Sequence, residues 1–132
     1  MNSQNILKDT STESIIQAID IERDSINWSN IESLMVAEQR IATFAHMLAE
    51  RIAPNHRLAT QIEHQQYFAY RKDSKMTQGD SERAAKIDAV ALRENYEMVL
   101  YTYKATSDIL ISIRRRLKFY EGEKYEGSAK YS

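Results

Sequence analysis

From Ala85 to Tyr120, apolar and small residues recur in steps of four and three without a fault. The series is Ala85, Ala89, Leu92, Tyr96, Val99, Tyr103, Thr106, Leu110, Ile113, Leu117 and Tyr120. Such a heptad seam demands a long helix with one continuous stripe to bury. A helix over 82–120 would be about 58 Å long at 1.5 Å per residue.

An earlier stretch repeats the logic. Ile31, Leu34, Ile41, Ala45, Leu48 and Ile52 alternate threes and fours, with Glu38 filling one gap, and Ser29 or Asn30 can cap this helix. Pro54 either kinks it or opens a new helix at its first turn, where the missing N–H costs nothing. The pattern then resumes through Ala59, Ile62 and Ala69 as far as Lys72. Residues 72–81 (KDSKMTQGDS) read as the connecting loop, with Asp80 and Ser81 as helix caps. At the N-terminus, Thr10-Ser11-Thr12-Glu13 fits a capping box. A short helix with Ile15, Ile16 and Ile19 on its apolar face should follow, broken by Asp24 to Ser29 (DSINWS).

The expected architecture is therefore all-α and a single helical domain over 1–132. Residues 1–29 hold a short helix and a break, and 30–71 form a long helix. Residues 82–120 form a second long helix, antiparallel to the first in a coiled-coil-like hairpin, and 121–132 are a polar tail. Three glycines and one proline among 132 residues are too few turn formers for a sheet protein. A hairpin buries only one seam, yet Met35, Val36, Val90, Met98, Ile109 and Ile111 lie off it. Self-association would cover them, with Leu92, Tyr96, Val99, Tyr103, Leu110, Ile113 and Leu117 as the expected contact. The alternative is that the N-terminal helix folds back over them.

The absence of cysteine excludes disulfides and thiolate metal sites. No apolar run approaches the roughly 20 residues needed to span a bilayer, and MNSQNILKD lacks a signal peptide's layout. A cytoplasmic protein is the expectation. The formal net charge of −1 hides an uneven spread. Residues 1–54 carry four Lys/Arg and eight Asp/Glu, whereas 55–120 carry twelve and eight. A basic second part can mark a polyanion partner.

Two segments carry that basic character. In SIRRRLKFYEG (112–122), Arg114 and Lys118 stand one turn apart with Arg115 beside them and Arg116 round the side. Helix C-termini welcome cations through the dipole, but four in five positions exceed that need. Arg also offers a planar fork that matches phosphate. The second segment, YFAYRK (67–72), interleaves aromatics with Arg71 and Lys72, and Lys75 follows. Rings on which bases stack, beside cations that track the backbone, suit single-stranded nucleic acid; packing at a helix end is the plainer reading.

Catalysis lacks an organised acid–base set. His46, His56 and His64 each follow an Arg by five to seven positions, which matches only loosely the Arg-to-His spacing of helical RNases of the HEPN class. Glu94-x-x-Glu97 has no Glu-x-x-His partner with which to build a carboxylate-bridged metal centre. Neither metal nor cofactor is expected.

The order of elements resembles the UvsY-type recombination mediators of T4-like phages. The likeness rests on Ile26-Asn27-Trp28 after a short helix, a long helix ending in Tyr67-Phe68-Ala69-Tyr70-Arg71-Lys72, and mid-helix Tyr96, Tyr101 and Tyr103. It extends to Ile111–Arg115 and the closing Phe119-Tyr120-Glu121-Gly122. The loop at 72–81 and the run of three arginines depart from the family pattern. The resemblance implies a homo-oligomer that binds single-stranded DNA. It further implies a protein that helps load a RecA-like recombinase onto DNA coated by single-strand-binding protein. Arg71, Lys72, Lys75, Arg114, Arg115, Arg116 and Lys118 are the expected nucleic-acid contacts. The alternative function is a helical protein-interaction module, such as a phage structural adaptor or an inhibitor of a host enzyme.

Overall fold

Among the described residues there are four helices: α1 (Thr12–Asp24), α2 (Ile31–Arg71), α3 (Gln78–Asp88) and α4 (Val90–Tyr131). The structure, a computed structural model, describes residues 11–131, with side chains as far as Glu123. The architecture is all-α, an antiparallel hairpin of α2 with α4, and no strand occurs among the described residues. The residues cluster into two compact units, one holding residues up to Leu48 together with those from Thr102 onward, the other Ala49–Tyr101.

Local chemistry explains where each helix begins. The N-cap of α1 is Ser11, whose hydroxyl accepts from the Ser14 N–H at 3.1 Å. The sequence points to Thr10 as the cap, a position outside the described residues. Asn30 caps α2, its side-chain carbonyl accepting from the Ser33 N–H at 3.0 Å. Thr77, and not Asp80 or Ser81, caps α3, because its hydroxyl accepts from the Asp80 N–H at 3.1 Å. Gln78 and Gly79 are thereby drawn into the helix, and the Asp80 carboxylate sits in its first turn, where the helix dipole favours it. The hydrogen bond with Thr77, followed by that with Arg83, holds the Asp80 carboxyl below its usual range.

Pro54 lies inside α2 without ending it. Beside it, the Asn55 side-chain amide donates to the Arg51 carbonyl at 2.7 Å. The expected second long helix divides instead at Ala89, where one residue forms a turn between α3 and α4. The i to i+4 bonds persist on either side, Ala89 N–H to Ala85 O at 3.1 Å and Arg93 N–H to Ala89 O at 3.0 Å. Ala89 stays fully buried, so the seam passes through the break intact. At its far end α4 runs on to Tyr131 rather than stopping at Tyr120.

The unit that holds both chain ends has an aliphatic core. Leu34, Ala37, Ile41 and Ala45 of α2 meet Leu110 and Ile113 of α4, with Tyr103, Ile109, Leu117 and Tyr120 packed around them. Each large aliphatic buried here contributes about 1.5–3 kcal/mol. Helix α1 folds back and buries Ile15, Ala18 and Ile19, while the Glu22 carboxylate meets the Arg40 guanidinium of α2 at 3.2 Å. The fold-back leaves Met35, Val36 and Ile111 exposed, and Ile31, read as a seam position, is exposed as well. Ile31 is the first residue of α2 and lines an open groove with Leu117 and Tyr120 of α4 instead of closing into the core.

In the second unit the core is built from small residues: Ala59, Ser81, Ala85, Ala89 and Val99. Small side chains at a helix contact permit a short interaxial distance, and polar pairs flank this one. Arg93 reaches Glu63 at 2.8 Å, and the Asn95 amide donates to the Asn55 carbonyl oxygen at 3.0 Å. Tyr70 and Gln66 both donate to one oxygen of Asp88, at 2.6 and 2.8 Å. Ala69, expected in the seam, is exposed, because at this end the contact is made by Gln66 and Tyr70.

Candidate nucleic-acid interface

The orientation of the basic run follows from the residues between its cations. Ile113 is fully buried and Leu117 half-buried against the core, which turns Arg114, Arg115 and Lys118 outward into solvent. No described carboxylate lies within ion-pair distance of the three. Because α4 continues to Tyr131, these cations stand well before its C-terminus, and the helix dipole, which acts within the last turn, does not account for them. Here the charge is left available.

Arg116 has a different role. Its guanidinium carbon lies 5.2 Å from the centroid of Phe119 and 5.1 Å from that of Tyr120, a cation–π arrangement worth about 0.5–1 kcal/mol at an exposed site. The two rings meet edge to face, with centroids 6.0 Å apart. The Tyr120 hydroxyl donates to the Trp28 carbonyl at 3.0 Å, which ties the α1–α2 connection to this end of α4.

Beside these cations runs a groove of about 580 Å³ between the start of α2 and residues 114–121 of α4. Ile31, Met35, Leu117 and Tyr120 form its apolar floor. Arg114 and Lys118 stand on one wall, with Glu38 and Glu121 also on the lining. The groove thus presents both signs of charge, while Arg115 stands clear of it.

The segment at 67–75 is partly occupied by structural work. Arg71 donates to the Met76 carbonyl at 3.2 Å and so closes the α2–α3 connection. Tyr70 is held by Asp88, and this hydrogen bond raises the phenol above its ordinary range. Lys72 and Lys75 are exposed, and Phe68, packed edge to face on Tyr67, is largely open to solvent. Arg71 to Lys75 and Arg114 to Lys118 belong to different compact units.

No family model, curated protein or solved structure matches the chain. The side-chain chemistry alone therefore identifies what this surface can hold. Among the described residues, no three His, Cys, Asp or Glu side chains are grouped so as to bind a metal ion. His56 packs edge to face on Tyr96 at 5.0 Å. No described helix is long and apolar enough to cross a membrane.

The expected self-association contact needs correction at three positions. Val99, Leu110 and Ile113 are buried within the chain itself, and Leu92, Tyr96, Tyr103 and Leu117 are half-buried. The hairpin uses the seam for its own core, so the apolar surface still open lies in neighbouring rows, at Met35, Val36, Val90, Met98 and Ile111. The residue that sequence reasoning missed is Trp28. It enters the sequence reading as part of a chain break and of the Ile26-Asn27-Trp28 likeness, without a role, and nothing local signals that Tyr120 would bond its backbone.

Proposed function

We propose that the chain is a non-catalytic, single-stranded DNA-binding protein that self-associates and acts in phage recombination or repair. In this reading it helps load a RecA-like recombinase onto DNA coated by single-strand-binding protein, in the cytoplasm of a bacterial host. The observation that carries it is the set of outward-facing cations Arg114, Arg115 and Lys118, without described ion partners, beside the Arg116–Phe119–Tyr120 cluster. Cations that follow a phosphate backbone beside accessible rings form the usual recipe for single-strand binding. Lys72 and Lys75 supply a second basic element, with Arg71 as the residue that shapes its loop. The likeness to UvsY-type mediators supports the recombination role, and the exposed apolar rows support self-association.

The test is fluorescence anisotropy with a labelled oligo-dT. Binding should be clear at low salt and fall sharply when Arg114, Arg115 and Lys118 are all changed to Ala. In the mediator assay, the wild-type protein should restore recombinase filament formation on coated DNA and the triple variant should not. Replacing His46, His56 or His64 with Ala should leave binding within a few-fold.

A second reading has one specific observation in its favour. The groove at Met35 and Leu117 combines an apolar floor with both signs of charge, which suits a peptide or protein better than a polyanion. Failure of oligo-dT binding would make the protein-interaction module the better account.

A further inference from the structure

We infer that Phe119 and Trp28 form a base-stacking site, which would make the basic stretch of α4 selective for unpaired nucleobases rather than for phosphate alone. The inference rests on the single-strand-binding reading above and adds to it the part of the ligand that the cations do not address.

Three observations lead here. Phe119 is 52% exposed and Trp28 40% exposed, large apolar surfaces left in water at the same end of one compact unit. Neither belongs to the aliphatic core of that unit. The Phe119 ring is also held in place, and the backbone that carries Trp28 is tied to the same helix. Arg116 sits over the Phe119 ring and Tyr120 abuts its edge, while the Tyr120 hydroxyl bonds to the Trp28 backbone. A ring already positioned loses little freedom when a ligand arrives, so more of the contact energy appears as affinity.

The chemistry of the surroundings selects the occupant. A nucleobase offers a flat π-face to Phe or Trp, and it remains attached to a phosphate that Arg114, Arg115 or Lys118 can neutralise. In duplex DNA the faces of the bases are stacked on one another, so a site of this kind rejects duplex except at ends and openings. Phe119 and Trp28 would contact the bases directly. Arg116 and Tyr120 are positioning residues, although the guanidinium plane of Arg116 can also stack.

The experiment compares two ligands with the same number of phosphates, a dT20 oligonucleotide and an abasic 20-mer, on the full chain. Wild type should bind dT20 about tenfold tighter than the abasic strand. Trp28, the chain's single tryptophan, should be quenched by dT20 and not by the abasic strand. Phe119→Ala and Trp28→Leu should each reduce the affinity ratio, and the double variant should bring it near one with the salt dependence unchanged. Circular dichroism of each variant checks that the fold is kept; both side chains are exposed, and Phe119→Leu gives a milder second substitution. Equal wild-type affinity for the two ligands would overturn the stacking site and leave phosphate binding standing. A double variant that is folded and retains the tenfold ratio would overturn the assignment to these residues. Absence of binding to either strand would overturn the underlying reading and this inference with it.

Discussion

The Tyr120 hydroxyl donates to the Trp28 carbonyl at 3.0 Å, across 92 residues of chain. It joins the last seam position of α4 to the connection between α1 and α2. Tyr120→Phe should keep the ring packing and lose only this bond, at a cost of about 0.5–1 kcal/mol. Urea denaturation measures the loss. Emission from Trp28 should also change in the folded state, since its backbone is released.

The hydrogen bond from Tyr70 to Asp88 gives a pH signature. The Asp88 carboxylate, which accepts from the neutral phenol, raises the Tyr70 pKa above its ordinary range. The contribution is therefore fully present below the unfolded phenol's pKa and disappears as pH rises through the higher folded value. NMR titration of ring-labelled tyrosine should show one late-titrating signal, absent in Tyr70→Phe. In Asp88→Asn the same signal should move back toward the ordinary range. An unchanged Tyr70 titration in Asp88→Asn would contradict the assigned cause.

Thr77 decides where α3 begins. Thr77→Ala should destabilise the protein by about 1 kcal/mol through loss of the cap, whereas Ser29→Ala, at a residue that does not cap α2, should cost little. Asp80 adds an acid-side effect of the opposite sign to Tyr70. Its depressed pKa means that its contribution is present above the unfolded value and lost as pH falls through the folded one. Thermal melts of both variants between neutral and acid pH measure the two effects.

How much of this could be read in advance depends on how far apart the partners lie. The α4 stripe from Val99 to Ile113 was legible because a heptad seam is a local repeat; Val99, Thr106, Leu110 and Ile113 are buried and Tyr103 half-buried, as the period requires. Ile31 is exposed although its period is right, because periodicity does not say where two facing helices close on each other and where a groove stays open between them. The cap of α3 was misplaced because Asp80 and Ser81 are good cap residues by type, while the geometry chose Thr77, three residues before the first donor it satisfies. The basic run was visible as composition. Its division into outward cations and an Arg116 committed to two rings needed the orientation imposed by Ile113 and Leu117. Trp28 was out of reach, since its partner is 92 residues away.

Core and surface rows of α4 should respond differently to charge. Leu110 is buried in the core of its unit, so Leu110→Glu should unfold the protein, because a carboxylate there has no partner. Ile111 is exposed, so Ile111→Glu should keep the helical spectrum. If the proposed self-association uses the exposed rows, Ile111→Glu should also lower the mass seen by light scattering. A wild-type mass of 15.3 kDa, the mass of one chain, at tens of micromolar would contradict self-association.

The central claim is that Arg114, Arg115 and Lys118 bind a phosphate backbone, and the salt dependence of oligo-dT binding tests it most directly. Three neutralised phosphates on a single strand give a log–log slope near −2.1 per engaged chain, at about −0.7 per contact. Raising salt from roughly 50 to 200 mM should then weaken binding by about twentyfold. Changing the three residues to Ala should flatten the slope while helicity and mass stay as in wild type, since none of the three is buried. A triple variant that keeps the wild-type slope, or a wild type that shows no binding at low salt, would contradict the account.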